Sequence, residues 1–245
     1  MREPSSLSCP VRRRPAACAA VAAGLALAFA LTAGAGFAQV QAQVQAAATE
    51  ASVAQVAPAA TAADAALARF VDALAGDGAA IERSAAELQR LSEAQAGDPV
   101  LRAYAGAAVA RRATGTWLPW KKLAFAEEGL ALIDKALAQL EPAHDAPLHR
   151  GVPAVLDTRF VAATTFLALP AMFNRQERGR KLLAQLLASP LLEAAPLPFR
   201  ASVWMRAAQL ADETQDPAQA RAWYEKVASS QAPQAEVARR RLGSR

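Results

Sequence analysis

Thiols are almost missing from this chain of 245 residues: its two cysteines, Cys9 and Cys18, both lie close to the N-terminus. Aromatic side chains make up only 6% of it, and there are two histidines, His144 and His149. No Gly-x-Ser-x-Gly elbow, phosphate-cradling glycine loop or dinucleotide fingerprint occurs, so the common nucleophile, nucleotide and cofactor sites have no sequence counterpart. A strong excess of either charge is lacking too, with 27 basic against 22 acidic residues.

Three arginines, Arg12 to Arg14, precede a nearly uninterrupted apolar stretch from Ala16 to Leu31, followed by small residues. That is the three-part layout of a secretory signal peptide. Gly36-Phe37-Ala38 puts small residues at the last and third-last positions, which places the cut after Ala38 and the mature start near Gln39. The stretch is short and alanine-dominated against the roughly 20 strongly apolar residues of a spanning helix, which leaves an uncleaved inner-membrane anchor as the alternative. Pro15 disfavours a twin-arginine signal, and Cys18 precedes the apolar stretch, whereas a lipidated cysteine follows it. Removal of residues 1–38 takes both cysteines with it, excluding disulfides, a cysteine nucleophile and cysteine-ligated zinc. It also takes Arg2, Arg12, Arg13, Arg14 and Glu3, so that 27 basic and 22 acidic residues become 23 and 21. So small an excess gives no argument for nucleic acid. The expected location is the periplasm or the exterior.

Residues 39–62 hold almost nothing but Ala, Gln, Val and Thr, the composition of a disordered linker. From residue 63 to 245 apolar residues recur at three- and four-residue steps between breakers, the period of helices. Leu67, Phe70, Val71 and Leu74 form one stripe and Ile81, Leu88 and Leu91 the next. Asp98-Pro99 and Asp216-Pro217 each start a helix, with aspartate as N-cap and proline in the first turn. Trp120, Leu123, Leu130, Ile133, Leu137 and Leu140 run along a long central helix. No stretch reads as a convincing strand. The expected fold is all-α: about nine antiparallel helices joined by short turns.

The C-terminal stretch adds a finer pattern. Trp204 lies 16 residues before Ala220, Tyr224 follows four residues later, and Pro233 comes after it. In this the chain resembles the tetratricopeptide repeat, a helical hairpin with an aromatic early in its first helix and a small residue, an aromatic and a proline in its second. The positions for the Leu-Gly pair and tyrosine hold Ala207, Ala208 and Ala211 instead. Gly129, Ile133, Ala136 and Pro142 repeat the second half of the pattern. The resemblance covers Asp98 to the end and implies a short solenoid or bundle of stacked hairpins that presents a groove to a protein segment. It transfers no binding residue.

Several residues are candidates for a site. Trp117, Trp120, Lys121 and Lys122 cluster just before the long helix: either Trp117 and the lysines meet a partner, or the cluster is a helix entry in which Trp120 anchors the core. Glu127 falls within the central stripe, where a carboxylate is costly unless paired, and Arg159 is its expected buried partner. Arg102, Arg159 and Arg206 sit on the first helices implied by the repeat resemblance, where they could bind a carboxylate through paired N–H donors. Trp204, Ala220 and Tyr224 are structural positions of that pattern. His144, Asp145 and His149 lack the i, i+4 spacing of a two-histidine metal helix, so no metal or other cofactor is expected.

These residues point to an exported scaffold that binds a protein or peptide, with no catalysis and no nucleic acid, and with a membrane only if the signal segment stays. The alternatives are a cell-envelope hydrolase with a dispersed site and a membrane-tethered helical bundle. N-terminal sequencing of exported protein should start near Gln39, and its helical circular dichroism should be unchanged by reductant. A chain still beginning at Met1 contradicts the cleavage.

Overall fold

The computed structural model describes residues 62–244 apart from 77. The expected signal segment, its cleavage site and nearly all of the linker lie outside the described residues. Helices dominate the rest: α1 (62–73), α2 (Gly78–Ala94), α3 (Pro99–Arg112), α4 (Pro119–Ala138), α5 (Ala154–Ala168), α6 (Gln176–Ala188), the single turn α7 (Leu191–Ala194), α8 (Leu197–Glu213), α9 (Pro217–Ala228) and α10 (Ala235–Gly243). They pack mainly as consecutive antiparallel hairpins, α2 on α3, α3 on α4, α5 on α6, α8 on α9 and α9 on α10. The sequence reading missed a small antiparallel hairpin, β1 (Pro147–His149) and β2 (Val152–Pro153), inserted between α4 and α5. Its strands are too short for their alternation to register as a pattern.

Both Asp-Pro pairs open helices. Asp98 Oδ1 accepts the backbone N–H groups of Val100 at 2.8 Å and Leu101 at 3.0 Å, and Asp216 Oδ1 accepts that of Gln219 at 3.0 Å. Each cap satisfies donors that the first turn leaves without a helical partner, worth about 1 kcal/mol.

The centre of the N-terminal half is α3, in which 11 of 14 residues are buried. Helix α3 contacts α2, α4 and α5, and Tyr104 meets Phe70 of α1 edge-on with ring centroids 5.9 Å apart. A helix enclosed on every side must be apolar all round, and the run Ala-Tyr-Ala-Gly-Ala-Ala-Val-Ala from Ala103 is. Arg102, part-exposed near the start of α3, instead lines an open cavity of about 560 Å³ with Glu93, Leu132 and Lys135.

Small residues set the α3–α4 separation. A Cβ on Gly106 would stand 2.6 Å from the Gly129 carbonyl oxygen, and one on Gly129 would stand 2.5 Å from that of Gly106 and 2.7 Å from the Ala110 nitrogen. The helices therefore touch backbone to backbone, and Gly129 is small because another main chain occupies its side-chain space. Further along, Leu130, Ile133, Leu156, Phe166, Leu183 and Leu186 form a second apolar cluster. Trp204, Ala220, Tyr224 and Val227 form a third, across α8 and α9.

Gly129→Ala should lower stability by about 2 kcal/mol: with main-chain atoms 2.5 and 2.7 Å from the new carbon, the cost lies at the upper end of the about 1–3 kcal/mol of overpacking, against roughly 1 kcal/mol of helix propensity gained. Gly78→Ala, where no atom lies within 4 Å of the new carbon, should be neutral or better. Urea denaturation of the two variants checks this, and equal midpoints would contradict the close crossing.

Candidate functional site

Pro147-Leu-His-Arg-Gly-Val-Pro153 builds the most polar interior feature of the described chain. Arg150 and Gly151 occupy its tight turn, both in the left-handed region with φ of 52° and 70°. Such a two-residue turn matches the twist of a hairpin but suits glycine far better than arginine. Holding arginine there costs of order 1 kcal/mol or more, and its side chain supplies a compensation. Arg150 Nη2 donates to Asp157 Oδ2 at 2.7 Å and to the Tyr104 hydroxyl oxygen at 2.8 Å, while the Tyr104 hydroxyl donates to Asp157 Oδ1 at 3.1 Å. The hairpin is thereby tied to α3 and to the first turn of α5.

The neighbouring His149 points inward and is only 4% exposed. Its Nε2 lies 2.6 Å from Asp98 Oδ2, the carboxylate whose other oxygen caps α3. On the opposite edge of the ring, Nδ1 lies 3.2 Å from Asp64 Oδ1 of α1. That second contact is an ion pair without hydrogen-bond alignment, and neither atom has another hydrogen-bond partner.

The charges in this cluster hold one another. Burial works against the His149 proton, but the hydrogen bond to Asp98 and the charges of Asp98, Asp64 and Asp157 prevail and raise its pKa above the ordinary value. Burial likewise opposes the Arg150 charge, and the Tyr104 oxygen and Asp157 outweigh it, so Arg150 stays protonated above its usual range. Burial, then the Asp157 charge, pushes the Tyr104 hydroxyl above its ordinary range despite Arg150. Asp157 is itself moved up, because its burial exceeds the pull of Arg150, Tyr104 and His149. General base catalysis needs a ring nitrogen free to take a proton from a substrate, and both nitrogens of His149 face carboxylates inside the protein. Among the described residues, no group of three or more His, Cys, Asp or Glu is placed to hold a metal ion. His144 lies apart, its Nδ1 accepting the Glu141 N–H at 2.9 Å.

A second feature is on the surface. Trp117 is 83% exposed and Trp120 65%, with Leu123 at 41% and Lys121 and Lys122 exposed beside them. Trp120 therefore does not anchor the core, and Glu127 is exposed rather than buried with Arg159. The first cause is rotation: at about 100° per residue, Trp120 lies more than a quarter turn around α4 from the centre of the face that is covered, Ala126, Gly129, Leu130, Ile133 and Ala136. The second is length: α4 has ten residues before Gly129 and α3 six after Gly106, so α4 overhangs by about 6 Å at 1.5 Å per residue. No residue of α4 before Ala126 is buried. At the root of the overhang, the Arg112 guanidinium stacks on the Phe125 ring at 4.2 Å and pairs with Glu82 of α2 at 2.7 Å. Beside it, Leu74, Ile81, Arg111, Arg112 and Gly115 line a shallow groove of about 250 Å³.

The other sequence candidates are scattered. Arg206 is bound to Glu213 through two hydrogen bonds of 3.0 and 3.2 Å, its side chain 11% exposed, and so is not a free donor pair. Arg102 Nη2 donates to the Ala96 carbonyl oxygen at 2.8 Å. Arg159 is half-buried on α5. Trp204 and Tyr224 are buried with Ala220, Lys226 lies 4.4 Å over the Trp204 ring, and the Tyr224 hydroxyl donates to Asp212 Oδ2 at 3.0 Å. The sequence reading missed Asp64, Tyr104, Arg150 and Asp157 as one network. The signal available was the Arg-Gly pair between Pro147 and Pro153, a hairpin turn in a loop.

Arg150→Met should destabilise the protein by about 3 kcal/mol, the lower end for removing one partner of a buried pair, because Arg150 is 31% exposed whereas Asp157 is 1%. Thermal denaturation of this variant and of Arg150→Met with Asp157→Leu checks it: the double variant should recover part of the loss, since no charge is left buried alone. Comparison with family models, curated proteins and solved structures finds no match for the chain.

Proposed function

We propose that this chain is an exported helical scaffold that holds another protein at the Trp117–Leu123 surface and performs no chemistry itself. The observation carrying this reading is the exposure of Trp117 and Trp120, 83% and 65%, on a helix end that protrudes from a well-packed body. An indole gains more from burial than almost any other side chain, and tryptophan is among the residues most enriched at binding hot spots. Exposed aromatics clustered in this way mark an interaction surface. The stacked hairpins support a scaffold role, and the Trp204, Ala220 and Tyr224 core of α8 and α9 agrees with a divergent tetratricopeptide-like unit. The signal-like residues 1–38 support export to the periplasm.

Charge at this end narrows the partner. Arg111, Lys121 and Lys122 are exposed, while the nearby Glu82 is engaged by Arg112. A segment carrying apolar and acidic side chains complements this surface: the apolar groups cover the indoles and the carboxylates meet the cations.

The test is a pull-down from cell-envelope extract with the mature protein and with Trp117→Ala/Trp120→Ala, followed by identification of the retained proteins. The double variant should keep its melting temperature, because neither ring is in the core, and should lose at least about tenfold in affinity for a specific partner, as expected when two hot-spot residues are truncated. Unchanged retention would remove this surface as the binding site. Flotation with anionic vesicles in place of protein capture would replace the protein partner by a bilayer, whose interface also favours tryptophan and lysine.

A further inference from the structure

We propose that His149 is a proton-operated clasp for α1: the imidazolium holds Asp64 and Asp98 together, and loss of its proton frees the start of α1 from the body. This goes beyond the binding role above and does not depend on it.

The geometry requires a charged ring. Both nitrogens face carboxylate oxygens, at 2.6 Å on Asp98 and 3.2 Å on Asp64. Imidazolium has an N–H on each side, whereas neutral imidazole has one donor and one acceptor. Asp98 cannot turn away, because its other oxygen is held by the N–H groups of Val100 and Leu101. The single proton of the neutral ring therefore stays on Nε2 toward Asp98, and the Nδ1 lone pair is left against Asp64 Oδ1. Those two atoms are buried and have no other hydrogen-bond partner, so an attraction becomes a repulsion that only movement of Asp64 relieves.

Asp64 is the element free to yield. Its side chain is 40% exposed, and α1 is held by a slim set of buried apolar residues, Ala63, Ala66, Leu67, Phe70 and Ala73. Three of these are alanines, which bury little area, and the Arg69–Glu87 pair that ties the middle of α1 to α2 is largely exposed, so the buried contact near the helix start weighs heavily. The other groups around the ring leave this logic intact. Asp157 on α5 adds a negative charge that favours the imidazolium, and Arg150 on the hairpin and Tyr104 on α3 are both committed to Asp157.

The direction with pH follows. Because its pKa is raised in the folded state, His149 binds its proton more tightly there than in the unfolded chain. Its stabilising contribution is complete below the unfolded value of about 6.5 and is lost as pH rises through the higher folded value. Undocking of α1 bares Leu67, Phe70 and the α3 face they cover, so pH sets whether the first hairpin offers an apolar surface.

Hydrogen exchange on the full chain from pH 6 to pH 9, corrected for intrinsic exchange rates, tests the clasp. Protection of residues 62–73 should fall severalfold with rising pH while that of α8 and α9 holds. In Asp64→Asn the profile should be flat, because the amide N–H can donate to the Nδ1 of a neutral ring and keep α1 docked. His149→Gln, which carries no titrating group, should also lose the pH dependence. Constant wild-type protection of 62–73, an equal fall in Asp64→Asn, or a parallel fall in α8 and α9 would each overturn the proposal.

Discussion

Asp98 holds two obligations at once. One oxygen caps α3, the most enclosed helix of the described chain, and the other is bonded to the buried His149. A helix packed on all sides needs its terminal N–H groups satisfied locally, since no water reaches them. Using the same carboxylate as the partner of a buried histidine ties the start of α3 to the β1–β2 hairpin. Through Asp64 the tie extends to α1. Three segments far apart in the chain thus meet around one imidazole, on a hairpin whose turn at Arg150 and Gly151 is left-handed.

Next to this polar tie runs an apolar one of opposite character. Gly106 and Gly129 bring the α3 and α4 backbones into contact, which gives α4 its fixed height on α3. Rotation and helix length then decide what is left outside: no residue of α4 before Ala126 is buried, and Trp117 and Trp120 stay 83% and 65% exposed. The exposed aromatic surface is a geometric outcome of where two glycines sit. The interior and the candidate interface are in this sense linked by one crossing point.

The hairpin and the overhang also explain why the candidate residues sorted as they did. Glu127 and Trp120 share a sequence stripe with Leu130 and Ile133, but at about 100° per residue both lie on its outer flank, away from the Ala126, Gly129 and Ile133 face that is buried. The stripe is split lengthwise into an inner and an outer part. Arg206 reads in sequence like a free cation on a first helix, yet Glu213 at the end of the same helix engages both of its terminal nitrogens.

Helical periodicity, the Asp-Pro caps and the spacing of Trp204, Ala220 and Tyr224 were legible in the sequence, because each depends on residues within a few turns of one another. Period and capping act locally, and an alanine-rich chain with apolar residues at three- and four-residue steps has little alternative to stacked helices. The Asp64, Asp98 and His149 cluster was not legible. Its members lie 34 and 51 residues apart, and which carboxylate meets which ring nitrogen is settled only when α1, α3 and the hairpin are packed. The exposure of Trp117 and Trp120 was equally beyond the sequence, since it depends on the relative lengths and crossing of two helices rather than on any property of the residues that are exposed.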